Sequence, residues 1–151
     1  MGSFVYDATN QTFSSINVQT TPGPSTTSST SAIAGGNYAA VIPPNAPVPG
    51  VPTTPPAIVF ISGVIGQANT RRVALLAPNT LTDAGGTVQV SQGSTEGFCN
   101  ATCASVVAGS ASRSITGGSL VAVGGSAPVR WYLNGTFSDG GQVVGQRGQA
   151  A

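Results

Sequence analysis

Histidine and lysine are missing from this chain of 151 residues. Its cations are five arginines, its carboxylates number four, and together they make up 6% of the sequence, against about 25% in an ordinary soluble domain. These gaps exclude whole classes of chemistry. An activated serine or cysteine nucleophile needs a neighbouring base, and neither histidine nor lysine is there to supply it. No G-x-S-x-G elbow and no phosphate-cradling glycine motif occurs. The carboxylates Asp7, Asp83, Glu96 and Asp139 each stand in a Gly-rich or polar turn context. Asp-Gly is first of all a turn dipeptide, so an opposed catalytic pair is not expected. A calcium site at Asp83 or Asp139 would lack ligand charge. The expectation is a protein that is not an enzyme and carries no cofactor.

Other absences narrow the partners. Neutralising phosphates takes clustered cations, and the densest cluster is the pair Arg71-Arg72, which reads as a solvated or salt-bridged strand start. Nucleic acid is therefore not an expected partner. The start MGSFVYDATN lacks a basic region followed by an apolar core, and Tyr6 stands where a myristoylation signal wants Ser or Thr. The longest apolar run, Ala57–Ile61 continuing to Ile65, is far shorter than the ~20 residues that span a bilayer. No membrane association is expected, and synthesis in a cytoplasm is. Cysteine is scarce too. Cys99 and Cys103 in FCNATC cannot close a zinc site alone. They could form a small disulfide ring, although a reduced pair is the default for a chain made in a cytoplasm. Asn-x-Ser/Thr sequons at Asn10, Asn100 and Asn134 are about what so much Ser and Thr gives by chance.

What the chain does have is proline, glycine and β-formers, sorted into zones. Residues 1–20 hold two short β-prone stretches, Phe4–Tyr6 and Thr12–Val18, the second with imperfect alternation. Residues 21–56 are low in complexity and hold most of the prolines, ending in VIPPNAPVPGVPTTPP. Such a composition cannot bury enough apolar surface to offset its chain entropy. It favours extended polyproline II, so 43–56 could reach roughly 40 Å at about 3.1 Å per residue. Its PxxP spacing, as in Pro44-Asn45-Ala46-Pro47, lacks the flanking cation an SH3-type ligand wants, since no Arg precedes Arg71.

From residue 57 the pattern turns to β. AIVFISGVI, RRVALLAP, GGTVQVSQG and GGSLVAVGGSAP read as strands, with Val88 and Val90 alternating against Thr87, Gln89 and Ser91. In PVRWYLNGTFSDGG, Asn134-Gly135 predicts a two-residue hairpin. GSTEGFCNATCASVVAGSAS is the sole helix candidate, good for a turn or two or none. The expected fold is all-β, a small antiparallel sandwich or barrel at 57–151, preceded by an extended N-terminal arm at 1–56. Trp131 and Tyr132 must point to opposite faces of their strand. One then faces the core and the other lies outside, which with Phe137 could form a platform for sugar rings.

In this layout the chain resembles the small capsid decoration (cement) proteins of tailed bacteriophages. The likeness spans the whole chain, an arm from MGSFVYDATNQTF through VPGVPTTPP and a β-module from AIVFISGVI onward. The resemblance implies a virion structural protein whose arm lies across capsid subunits and clamps them. It implies as partners the major capsid protein or other virion subunits, with homo-oligomers on the particle. Phe4, Val5, Tyr6, Phe13, Ile16 and Val18 are the expected arm anchors. Two alternatives stand beside this one: a receptor- or glycan-binding head or tail fibre module, and a filament subunit that donates strand 4–18 to a neighbour.

Overall fold

The computed structural model describes residues 2–8, 12–23, 33–42, 58–76, 81–91, 93–101, 103, 106–107, 111–123 and 128–144. Among them there is no helix. Eleven strands run in order β1 (Gly2–Asp7), β2 (Thr12–Thr20), β3 (Asn37–Tyr38), β4 (Ala40–Ile42), β5 (Ile58–Ser62), β6 (Arg71–Leu75), β7 (Gly85–Gln89), β8 (Thr95–Phe98), β9 (Ser112–Val123), β10 (Val129–Phe137) and β11 (Val143–Val144). All pairings are antiparallel, and the spatial order is β11-β2-β1-β10-β9-β8-β6-β5-β4. Strand β7 joins as a branch on β9.

One short segment nearly closes this sheet into a barrel. Strand β3 pairs with β2, and one residue later β4 pairs with β5. Residues 37–42 thus touch strands near opposite ends of the order.

The front of the chain is therefore part of the barrel and not an arm beside it. Strand β1 lies between β2 and β10, with Phe4 opposite Trp131 and Tyr6 opposite Val129. Composition misled here because 1–20 was read together with the low-complexity zone that follows. Its own β-formers have a central place in the sheet. Strands β4 and β5, on either side of residue 56, pair with each other, with Ile42 opposite Val59. The strap at 43–56 lies outside the described residues.

Inward-facing side chains form one core. In β10 the alternation is clean: Val129, Trp131 and Leu133 are buried, while Arg130 and Tyr132 are half-buried on the outside. The ragged pattern of 12–18 has a structural cause. Ser15 takes φ 48°, and the β1–β2 register jumps between Ser3↔Asn17 and Val5↔Ser14. This bulge resets the facing of the strand, so Phe13, Ile16 and Val18 all reach the core despite their mixed parity.

Strand β5 reads as an unbroken apolar run because both its faces are covered. Ile58 and Phe60 enter the main core, whereas Val59 and Ile61 pack with Ala74 and Cys103 in a second, outer cluster. Cys99 and Cys103 are joined by a disulfide with Cα atoms 4.4 Å apart, so the default reduced pair does not describe this fold. The bridged loop lies over β5 and β6, where the Arg72 guanidinium donates to the Cys103 carbonyl oxygen at 3.0 Å. Burial lowers the pKa of that guanidinium.

Two local features stand out. Among its described residues the helix candidate holds no helix but strand β8, followed by the Cys99–Cys103 disulfide. Asn134-Gly135 makes no turn, because β10 runs straight through it, opposite Ser119 and Gly118. The long strand β9 offers a partner along this whole stretch, and a glycine is needed there. A Cβ on Gly118 would sit 2.7 Å from the Asn134 carbonyl oxygen. The chain reverses at Ser138-Asp139-Gly140 instead, where Gly140 adopts φ 87° and its N–H donates to Phe137 O.

Deleting residues 1–20 removes strands β1 and β2 and both ring contacts of the Phe4, Phe13 and Phe60 group. The truncated chain should lose its cooperative thermal transition. A sharp transition with native far-ultraviolet dichroism would show that the barrel stands without β1 and β2.

Candidate functional site

The chain's sole glutamate lies inside the barrel. Strand β8 alternates so that Glu96 points inward, and its side chain is 0% exposed. Register sets it directly across from Arg113 on β9, and Arg113 Nε donates to Glu96 Oε1 at 2.7 Å. The other oxygen, Oε2, accepts from Thr20 Oγ1 at 2.5 Å, Tyr38 OH at 2.6 Å and an Arg71 NH2 at 3.1 Å. Both oxygens are engaged by charge-assisted bonds, the strong kind.

The arginines also donate to the front of the chain and to the Asp139 turn. Arg113 NH1 meets both Asp139 oxygens, at 3.0 and 3.1 Å, and NH2 donates to Thr21 O. Its guanidinium carbon lies 4.2 Å from the centre of the Phe137 ring, within cation–π range. Arg71 donates to the carbonyls of Ala34 and Gly35. Thr20 Oγ1 also accepts from Gly36 N at 2.9 Å. The network therefore fixes the closing segment to the barrel wall, with Tyr38 bonded to Glu96 58 positions along the sequence. Geometry makes Glu96 a fixed acceptor at the end of converging donors. Sequence reasoning missed this group by placing Glu96 in a turn or short helix. The available signal was TEGF, a lone acid among β-formers, matched by the inward parity of Arg113 in SRSI.

The expected site residues fall in three places. Phe4, Tyr6, Val18 and Trp131 are buried in this chain's own core. Val5, Phe13 and Ile16 are half-buried, the latter two against that core. Tyr132 lies on the outer face, in a cross-strand row that runs Thr87, Val121, Tyr132, Ser3, Asn17. Arg130 donates to Ser3 Oγ at 3.0 Å beside it. Val121 and Val123 are 37% and 92% exposed on this face. It is a polar surface with a few apolar side chains, on which Arg130 lies half-buried.

Removing the acceptor should be severe. Glu96→Ala leaves two arginines without their shared carboxylate, and breaking a buried pair this way costs about 3–5 kcal/mol. Urea unfolding measures the loss, and a cost under ~1 kcal/mol would show the network to be dispensable. The Tyr38 hydroxyl gives a pH signature. Burial first, then the adjacent Glu96 charge and hydrogen bond, raise its pKa above the ordinary 10.0. The folded state thus holds that proton more tightly than the unfolded state. The resulting stabilisation is complete below pH 10 and is lost as pH rises beyond it. Tyr38→Phe should flatten the alkaline fall in stability relative to wild type, and an unchanged fall would exclude Tyr38 as its source. No family model, curated protein or solved structure matches this chain.

Proposed function

We propose that this chain is a non-enzymatic structural subunit of a virion, a decoration protein that binds across neighbouring capsid subunits, made in the host cytoplasm. The observation that carries the reading is the exterior. Among the described residues every charged side chain is buried or half-buried: Glu96 and Arg113 in the interior, Asp7, Arg71, Arg72, Asp83, Arg130 and Asp139 partly covered. What is exposed is Ser, Thr, Asn, Gln, Gly and Ala, with scattered Val, Ile65, Pro22 and Pro128. Freely dissolved domains keep apart through surface charge. An exterior without it hydrogen-bonds well and repels little, which suits permanent packing against other subunits. The resemblance in layout supplies the capsid as the partner.

Strands β1 and β2 are committed to the barrel, so the proposed contact sequence is the proline-rich 43–56. The strands on either side of it, β4 and β5, pair with each other, Ile42 opposite Val59. A second reading, a glycan- or receptor-binding module, has Tyr132 in its favour, half-exposed on the outer face with Asn134 two residues along.

Copy number separates the two. Quantitative mass spectrometry of purified particles should find this chain in a fixed lattice-scale ratio to the major capsid protein. A few copies per particle would favour the fibre reading, and absence from particles would reject both. For the second reading, Tyr132→Ala should abolish binding on a glycan array that wild type lights up. An empty wild-type array ends that idea.

A further inference from the structure

We infer that the Cys99–Cys103 disulfide is a redox latch: oxidised, it holds its ring over the outer apolar cluster, and a thiol that attacks at Cys99 opens the ring and uncovers that cluster while the barrel stands. Side chains alternate along β5 and β6, so Phe60 and Val73 enter the core while Val59, Ile61 and Ala74 face outward. Outward as they are, Val59 is 0% exposed and the other two only 8% and 6%. Among the described residues, only Cys103 and Cys99 join this cluster from outside β5 and β6. Cys103 is 1% exposed, and Cys99 packs half-buried at the margin.

The ring's shape needs the bond. Cys103 takes φ 58°, the left-handed region that an L side chain resists, and the link to Cys99 holds it there. Its N–H donates to Asn100 O at 3.1 Å, closing the turn inside the ring. The chain on either side is tied down without sulfur. Cys99 N donates to Thr70 O at 2.8 Å, and Val107 N donates to Phe98 O at 2.9 Å. A crosslink between cysteines 4 positions apart also restrains the unfolded chain less than a long-range one does. Losing the bond therefore releases the ring and leaves the strands paired.

The two sulfurs are unequal. Exchange begins where a thiolate can reach, and the half-buried Cys99 is more open than Cys103. The attacking thiolate bonds to Cys99 Sγ, the S–S bond breaks, and the Cys103 sulfur leaves with the electron pair as a thiolate. The Arg72 guanidinium, bonded to the Cys103 carbonyl oxygen at 3.0 Å, places a cation at the residue that takes this charge. A neighbouring cation favours a thiolate. A second thiol then attacks the mixed disulfide, leaving two protein thiols and one small-molecule disulfide. In a reducing compartment the ring is thus open, and an oxidised small thiol closes it by the reverse exchange. The outer face of β5 and β6 thereby follows the redox state of its surroundings. The inference does not rest on the virion reading.

Hydroxyl-radical footprinting of the full chain, read by mass spectrometry, tests the uncovering. Labelling of Val59 and Ile61 should rise several-fold from the oxidised wild type to Cys99→Ser/Cys103→Ser, which cannot close the ring. Wild type reduced with dithiothreitol and desalted under nitrogen should match the double variant. Phe60 lies between the two reporters and faces inward, so its labelling should stay as it was, and the cooperative thermal transition should persist. Reduction by glutathione, quenched early with acid, should place the mixed disulfide on Cys99. The latch is overturned by unchanged labelling of Val59 and Ile61, by a rise that includes Phe60, or by loss of the thermal transition in the double variant. Glutathione found first on Cys103, or cysteines that stay thiols under oxidised glutathione, would overturn it equally.

Discussion

The buried carboxylate of Glu96 is the constraint on which the closed barrel depends. A charge with no solvent must be met by donors, or the cost reaches several kcal/mol. Those donors come from β2, β3, β6 and β9 together, as Thr20, Tyr38, Arg71 and Arg113. An apolar core would tolerate several ways of laying a short strand across a seam. A carboxylate with directional partners tolerates one. Residues 37–42 pair with β2 through only two positions and with β5 through only three. That ladder is too short to set its own register, so the network sets it, with Tyr38 as the pin and the Ala34 and Gly35 carbonyls held by Arg71.

The same economy explains the exterior. A chain with so few charges places its glutamate and its best-connected arginine inside, and covers part of every other described charge. The interior gains directional specificity, and the surface is left with hydroxyls, amides and backbone. Poor solubility at high local concentration is the physical consequence of such a surface. Under the proposed function, that consequence favours packing beside other subunits.

Much of this was legible in the sequence. Val88 between Thr87 and Gln89, or Trp131 beside Tyr132, announced strands and their faces because side-chain alternation is a local property. Three features were not local. Ser15's left-handed kink broke the parity of 12–18 and hid a central strand pair from pattern reading. Asn134-Gly135 had turn chemistry, but β9 offered a full-length partner, and tertiary pairing overrode the local preference. Glu96 looked like a turn residue because its partners, Thr20 and Tyr38, lie 76 and 58 positions away. Proline density had a subtler effect. It spread the label of arm over neighbours that the barrel claims.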